Sequence, residues 1–398
     1  MTSRRARINL LDAEHSAGRG ERERDESGTG AKEEARVRVL VMGGTQFNGL
    51  ALVHDLVRAG HRVTIVNRGK TEAALPSGVE RLIADRTQPD ALRSVLARRD
   101  WDAVYDISAY RPEDVEVMIE LLRGRTGHYV FAGSTVIYAA SDLLPITEGH
   151  PVERGPAQNA YGMNKLLCED RLLHAHREHG FPATIVAFSM VFGPHNIIPD
   201  REQRMFVRLK EGRPVLIPGR GTTLGQVGHV HDEARALRML MQKPVTFGKR
   251  YNLTGADCFT DEGYVDTFAE VMGLGAEKVR KVRIPPELMD DIYAGRVPLS
   301  SEPVTVLADT RSGDDTRARS LFQINRILQR IAPNIHHWDR NVFFSIERLR
   351  QDVGWQPELR FRGAVEQTWE WMRATGRDES LRFDFAFEDR LIERIEGS

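Results

Sequence analysis

The chain has 398 residues, 41 % of them hydrophobic, with 56 Lys plus Arg against 57 Asp plus Glu and a net charge of −1. That is room for one large or two modest domains around an ordinary globular core. The charge balance argues against a nucleic-acid or membrane-surface protein, which would show a basic excess, and no apolar run approaches the ~20 residues that span a bilayer.

Met1–Arg36 carries eight basic and eight acidic side chains, many small residues and only a trace of apolar sequence. This is the composition of a disordered tail, not of a signal peptide; an overlong start and a regulatory arm are the other readings. Two cysteines, Cys168 and Cys258, permit no metal-type spacing and at most one bridge. A reducing cytoplasm, with both as small core residues, is the expectation.

From residue 36 strands and helices alternate. "RVRVLVMGG" is a short apolar run ending in glycines, a buried strand, and "LALVHDLVRAGH" follows with helical spacing and a stop at Gly60. "RVTIVNRGK" and "VERLIADRT" are the next two strands, "ALRSVLARRD" a helix and "WDAVYDISAY" a fourth strand. Pro112 opens a helix with Val115, Met118, Leu121 and Leu122 on one face. "GHYVFAGSTVIY" is the fifth strand, "YGMNKLLCEDRLLHAHREHG" a long helix and "FPATIVAFSMVFG" the sixth strand. Alternation of this kind predicts an α/β fold, a Rossmann-type doubly wound parallel sheet with a smaller C-terminal substrate-binding lobe. The expected division is a tail over 1–36, a cofactor-binding domain over 37–193, and a mainly substrate-binding lobe over 194–398, with 222–258 partly returning to the first domain.

A strand, then glycines, then a helix cradles a pyrophosphate, because N–H groups at the helix N-terminus and the helix dipole favour negative charge. The loop running through Gly43, Thr45, Gln46, Phe47, Asn48 and Gly49 is that cradle here. Gly43 allows the tight turn and Gly49 the close packing of helix on strand. Gln46 stands where a glycine is usual, and its amide can donate a hydrogen bond. At the end of the second strand an acidic residue would bind the ribose 2′-OH; this chain has Asn67 and Arg68. Asn can still bond a hydroxyl and Arg could meet a 2′-phosphate, so NAD is expected with NADP left open. Asp85, after the third strand, either bonds the adenine amino group or caps its own turn.

"YGMNK" puts Tyr161 and Lys165 at i and i+4 on one helix face. An ammonium beside a phenol lowers a pKa that starts near ~10, and the phenolate can accept a hydroxyl proton while hydride leaves carbon for a nicotinamide. Ser134, at the end of the fifth strand, is the expected third member, with Thr135 in reserve; either could be a strand-end cap.

Together "GGTQFNG", "FAGSTVIY" and "YGMNK", with "FGPHN" and "DVGWQP", resemble the extended short-chain dehydrogenase/reductase family, the NAD-dependent epimerase/dehydratases, from about Arg36 to the C-terminus. "GGTQFNG", "VNRGK" and "DISAYRPEDV" look most like the atypical branch containing the chloroplast stem-loop-binding proteins. The resemblance implies a catalytic triad of Ser134, Tyr161 and Lys165, with Lys165 also on the nicotinamide ribose, and a cofactor lined by Gly43, Thr45, Gly49, Asp85 and Ala109. It implies a transient keto intermediate on a nucleotide-linked sugar or the sugar of a nucleoside, and a homodimer or higher homo-oligomer through the Pro112–Leu122 and Tyr161 helices. The departures are Gln46, Asn67, Met190 where the family often has Asn, and Ala187 where it often has Arg. Ser134-Thr135-Val136 lacks the Asp-Glu pair of the sugar dehydratases, which favours epimerase-type chemistry over oxidation-assisted dehydration. The rivals from other classes are an RNA-binding relative and a cofactor-sensing regulator.

Further substrate contacts are expected from Thr135, Met190, His195, Asn196, Arg204 and Gln226. His229, His231 and Asp232 in "GHVHD" do not suggest a metal site, because i and i+2 face opposite ways on a strand. "IHHWDR" (Ile335–Arg340) reads as a packed loop or a pocket rim, and "LADTRSGDDTRARS" as a mobile insertion. Glu169 and Arg171, on the Lys165 helix, read as solvated.

Overall fold

The computed structural model describes residues 36–96, 99–198, 201–294, 296–297 and 337–397; the expected tail and "LADTRSGDDTRARS" lie outside them. The first half alternates as expected: β1 (Arg38–Met42), α1 (Phe47–Arg58), β2 (Arg62–Asn67), β3 (Glu80–Ile83), α2 (Pro89–Leu96), β4 (Ala103–Asp106), α3 (Pro112–Leu122), β5 (Tyr129–Ser134), α4 (Ala160–His179) and β6 (Ala183–Phe188). Then come β7 (Met190–Phe192), α5 (Glu202–Lys210), β8 (Val215–Pro218), β9 (Leu224–His229), α6 (Val230–Leu240), β10 (Arg250–Leu253), β11 (Cys258–Thr260), α7 (Asp261–Val271), β12 (Lys281–Ile284) and α8 (Pro286–Tyr293). The last helices are α9 (Glu347–Val353), α10 (Phe361–Ala374), α11 (Arg377–Ser380) and α12 (Ala386–Glu396).

Seven strands form a parallel sheet in the order β10-β6-β5-β4-β1-β2-β3. The central strands are buried on both faces, which is why they read as unbroken apolar runs. One face is covered by α1 and α6, whose Leu52, Val53, Leu56, Leu237 and Leu240 share a core with Val39 and Ile65; each such side chain stabilises the fold by roughly 1.5–3 kcal/mol. Arg238 on α6 reaches Asp55 on α1 at 2.8 Å, and the Tyr105 hydroxyl donates to the Leu237 carbonyl at 2.9 Å. The other face packs Leu92 and Leu96, Val115, Met118 and Leu122, and Cys168 and Leu172 from α2, α3 and α4. Residues 222–258 thus supply α6 and the edge strand β10 to this layer. So does a later segment: Leu349 on α9 and Trp355 lie in the α1/α6 core, and Asp352 takes Lys249 Nζ at 2.9 Å and the Tyr251 hydroxyl at 2.6 Å.

The predicted sixth strand is two. β6 ends at Phe188 and β7 starts at Met190 in a second sheet, β11-β9-β7. Between them the Ser189 N–H still bonds the Leu253 carbonyl, and its hydroxyl bonds Thr254, so the chain peels away while its apolar pattern runs on. A third core gathers Met190, Phe206, Phe268, Val365 and Phe385 around β7, α5, α7 and α10. Cys168 is buried, but Cys258 is exposed, because β11 ends the small sheet. Among the described residues no helix is long and apolar enough to cross a membrane.

Candidate active site

The strand order reverses between β1 and β4, and the crevice of such a sheet opens there, at the carboxyl ends of the strands. Gly43 has φ +94°, and a Cβ on it would lie 2.8 Å from Ser108 Cβ; a Cβ on Gly49 would lie 2.2 Å from the Gly43 carbonyl oxygen. Only glycine at both lets the turn close on α1 and leaves the helix N-terminus facing the crevice. Gln46 replaces glycine without strain: its backbone is extended (φ −141°, ψ 146°), and its side chain is exposed. The left-handed conformation falls instead on buried Phe47, φ +38°. Thr45 is buried, and Asn48 Oδ1 is buried with no hydrogen-bond partner among the described residues. A cradle that any Cβ would fill, at the N-terminus of α1, fits a dinucleotide pyrophosphate. Gly49→Ala should therefore open the turn, cost at least about 1–3 kcal/mol as overpacking does, and leave the purified protein without bound cofactor. Mass spectrometry of the denatured variant beside the wild type checks this; equal cofactor release would sink it.

At the end of β2, Asn67 Oδ1 accepts from Gly69 N–H at 2.8 Å and from Arg81 Nε and Nη2 at 3.2 and 3.0 Å. Its Nδ2 is buried without a partner among the described residues, so the amide nitrogen is what remains for a ribose hydroxyl. Arg68 is exposed. Asp85 caps its own turn, accepting from the Thr87 N–H at 3.0 Å and hydroxyl at 2.8 Å. The neighbour that sequence reading missed is Arg86. Its guanidinium bonds Asp106 at 2.7 and 2.9 Å, the Ser108 hydroxyl at 2.8 Å and Asp114 at 3.2 Å, and Tyr129 donates to Asp106 at 2.6 Å. Burial opposes the Asp106 charge, but Arg86 and Tyr129 outweigh it and hold the carboxyl below its ordinary range. This network ties β3, β4 and α3 together beneath the cofactor loop.

β5 ends at Ser134, where the chain turns through a 3-10 turn, Thr135–Ile137, and α4 starts behind the Asn159 cap, whose Oδ1 accepts the Gly162 N–H at 2.8 Å. This places Ser134, Tyr161 and Lys165 together. Lys165 is buried, and its Nζ donates to the carbonyls of Ala109 and Ala132, both at 2.7 Å. It lies 5.7 Å from the Tyr161 ring and nearer, 4.7 Å, to the ring of Tyr110. Tyr161 is 40 % exposed. The expected drop in its pKa is not found: desolvation of the phenol raises it, while the Ser134 hydroxyl and the charge of Arg201 work the other way. Burial also lowers the Lys165 ammonium. The lysine is held by backbone carbonyls, and among the charged groups Arg201 works against burial in favour of the phenolate.

Of the expected substrate contacts, only His195 stands exposed, with φ +64° and its ring 5.1 Å from that of Trp371. Four of the other five are buried, and Gln226 is half-buried. Thr135 is fully buried, and Met190 packs in the β7 core. Asn196 donates to both Glu202 oxygens at 3.0 and 2.9 Å and accepts the Ile198 N–H. Arg204 is buried against Glu388 at 2.7 Å. Both amide atoms of Gln226 bond backbone, the Gly255 carbonyl at 2.6 Å and the Phe344 N–H at 2.8 Å. Asn196, Arg204 and Gln226 look like substrate contacts because they are polar and follow β6, but their polarity is spent inside the second lobe.

Two further expectations are corrected. Glu169 is not solvated: it is buried and bonds Arg250 Nε at 2.8 Å, whereas Arg171 is exposed and pairs with Glu116. His229 and His231 do not face apart; the strand-to-helix junction between them brings their rings within 5.2 Å. No group of three metal-ligating side chains forms among the described residues, and burial holds His229 down to about 3. Of "IHHWDR", Trp338 is packed and donates to Asp290 at 3.0 Å.

Comparison with known proteins agrees with this architecture. The model of the NAD dependent epimerase/dehydratase family matches residues 39–254. The chloroplast stem-loop binding protein of 41 kDa b from Arabidopsis thaliana is 28 % identical over 372 residues, 90 % of this chain and 84 % of that protein. The UDP-glucose 4-epimerase of Thermotoga maritima, solved with UDP-glucose, superposes with a TM-score of 0.63 at 17 % identity, covering 85 % of this chain and 99 % of its own. The dTDP-glucose 4,6-dehydratase of Bacillus anthracis, solved with NAD, does so with a TM-score of 0.63 at 15 % identity, covering 85 % and 97 %. The chain belongs to the NAD-dependent epimerase/dehydratase family and is an enzyme of the extended short-chain dehydrogenase/reductase type, with NAD as its cofactor.

Proposed function

We propose that this enzyme inverts or dehydrates a nucleotide-linked sugar, or the sugar of a nucleoside, through a transient keto intermediate, with Tyr161 as its acid and base. The observation that carries the reading is the convergence of Ser134, Tyr161 and Lys165 at the end of β5, with Lys165 Nζ on the Ala109 carbonyl at 2.7 Å. Gly43, Gln46, Asn48, Gly49 and Asn67 would hold NAD, which supplies the hydride acceptor. Ser134 positions the sugar oxygen. Tyr161 takes the hydroxyl proton as the carbonyl forms, and returns it when the carbonyl is reduced. Hydride returned to the opposite face of the carbonyl carbon would invert the centre, and loss of a neighbouring hydroxyl would dehydrate it. The Ser134-Thr135-Val136 strand end supports inversion, since it offers no carboxylate to expel that hydroxyl.

Mass spectrometry of what the denatured protein releases is the first test. Stoichiometric NAD is expected, and a co-released sugar nucleotide or nucleoside would name the substrate class. Native spectra of the undenatured protein read the proposed homodimer, for which the outer face of α3 and α4 offers exposed Leu167 beside the Glu116–Arg171 pair. If no cofactor is released and none binds when added, the reading fails. The second reading, binding of an RNA stem-loop, rests on the 28 % relative, and a steep salt dependence of RNA affinity would then support it.

A further inference from the structure

Tyr105, Tyr129, Tyr138, Tyr251 and Tyr264 are all buried in the fold. Tyr161 and Tyr110 are not: they stay 40 % and 39 % exposed, and their rings lie together, 6.1 Å between centroids and inclined at 48°. Tyr110 is the first residue after Ala109, whose carbonyl holds Lys165. Its ring lies 4.7 Å from Nζ, closer than the ring of Tyr161, at a range where the negative face of the ring attracts the ammonium. Its backbone N–H donates to Asp114 at 2.9 Å, and Asp114 is itself fixed by Arg86. The ring is therefore set on a rigid support, the buried network under the cofactor loop, and not on a free loop. Its contacts with Lys165 and Tyr161 leave 39 % of the residue exposed, so an aromatic surface is held rigidly beside the proposed acid–base residue.

We infer that Tyr110 is part of the substrate cleft beside Tyr161, an aromatic platform against which the C–H face of the sugar ring packs, so that the sugar rests across the adjoining, inclined rings of Tyr110 and Tyr161. This rests on the proposed nucleotide-sugar reading and deepens it: specificity for the sugar half of the substrate resides in an aromatic side chain after β4. The ring supplies the contact and the hydroxyl does not. Burial raises the Tyr110 phenol despite the nearby lysine, which keeps it protonated and uncharged.

The test uses the full chain with its bound cofactor and two probes, UDP-glucose and UDP, each titrated calorimetrically against wild type, Tyr110→Phe and Tyr110→Ala. Wild type should bind UDP-glucose more tightly than UDP. Tyr110→Phe should stay within about threefold of wild type, and Tyr110→Ala should lose about tenfold for UDP-glucose with UDP unchanged, since aromatic contacts are worth about that much. Saturation-transfer NMR should show the same selectivity, with sugar-ring protons losing their signal in Tyr110→Ala while uridine protons keep theirs. Cofactor content of each variant controls for folding. Wild-type affinity without loss in Tyr110→Ala overturns the platform alone. Loss of UDP affinity or of cofactor in Tyr110→Ala overturns it too, by placing the ring at another part of the site. A large loss in Tyr110→Phe overturns it in favour of a hydroxyl role. A wild type that keeps its cofactor and binds neither probe overturns the platform together with the nucleotide-sugar reading.

Discussion

Tyr161→Phe should lower kcat by about 10²–10⁴-fold, the range a positioned general acid–base commonly contributes, and leave bound NAD and the melting temperature unchanged. The argument is local. Tyr161 as a residue is 40 % exposed and its hydroxyl faces Ser134 and not the apolar core, so losing that hydroxyl would not unfold the helix. α4 is held instead by Lys165, Leu166, Cys168, Glu169 and Leu172, all buried. The pH profile has a defined sign. Burial keeps the phenol above its ordinary range in the free protein, with Ser134 and Arg201 only partly opposing it. The basic form is therefore the scarce one at neutral pH, and kcat/KM should climb with pH as it becomes populated. Arg201→Met should move that climb to higher pH, whereas a cation acting solely from Lys165 predicts no move. The measurement is hydride transfer followed at the reduced-nicotinamide absorbance with UDP-glucose as the first probe. A Phe variant as fast as wild type would remove Tyr161 from the chemistry and favour a regulator that only senses its cofactor.

The parts of this fold that could be read from sequence are those set by local rules. β1, β2, β4 and β5 are buried on both faces and bounded by turn residues, so each appears as a short apolar run, and Pro112 and Gly60 mark helix boundaries whatever the tertiary context. Tyr161 and Lys165 are one helical turn apart, a relation that spacing alone fixes. What could not be read depends on partners far along the chain. Arg86 meets Asp106 across 20 residues, Arg250 meets Glu169 across 81, and Arg204 meets Glu388 across 184. Nothing near Glu169 distinguishes a carboxylate that will be buried from one that will be hydrated, and an isolated polar residue after the last strand of the sheet looks like a substrate contact. The break at Ser189 was invisible for the opposite reason, since the apolar pattern is continuous while the strand changes sheets. Tyr110 gave no signal because its value is positional, a consequence of α3 starting where Asp114 can hold the chain.

The misreading of Arg204 leads to the largest expected change in stability. Arg204 and Arg208 on α5 are 2 % and 3 % exposed and share one carboxylate, Glu388 on α12, at 2.7 and 3.2 Å. The Phe385 ring lies under both guanidinium groups at 4.3 and 4.9 Å. Two buried cations on one anion is an imperfect balance: burial lowers the Arg208 pKa, and its Nη2 and the second Glu388 oxygen are unpaired among the described residues. Such a triad is held by mutual attraction against a large desolvation cost, so removing its single anion should be severe. Glu388→Ala should destabilise the protein by about 3–5 kcal/mol, read as an apparent Tm lower by roughly 5–10 °C. Replacing all three groups, as Arg204→Met, Arg208→Leu and Glu388→Leu together, should restore the loss, because a buried ion triad exchanged for apolar side chains is commonly neutral or stabilising. Calorimetry on the two variants separates the ideas. If the triad were part of the substrate site, the triple variant would recover its melting temperature yet raise KM for the probe sugar nucleotide. If it is only the tie between α5 and α12, recovery of stability should bring KM back with it. A Glu388→Ala variant that melts with the wild type would instead show that water reaches these charges, and that the pairing contributes little to holding the lobe together.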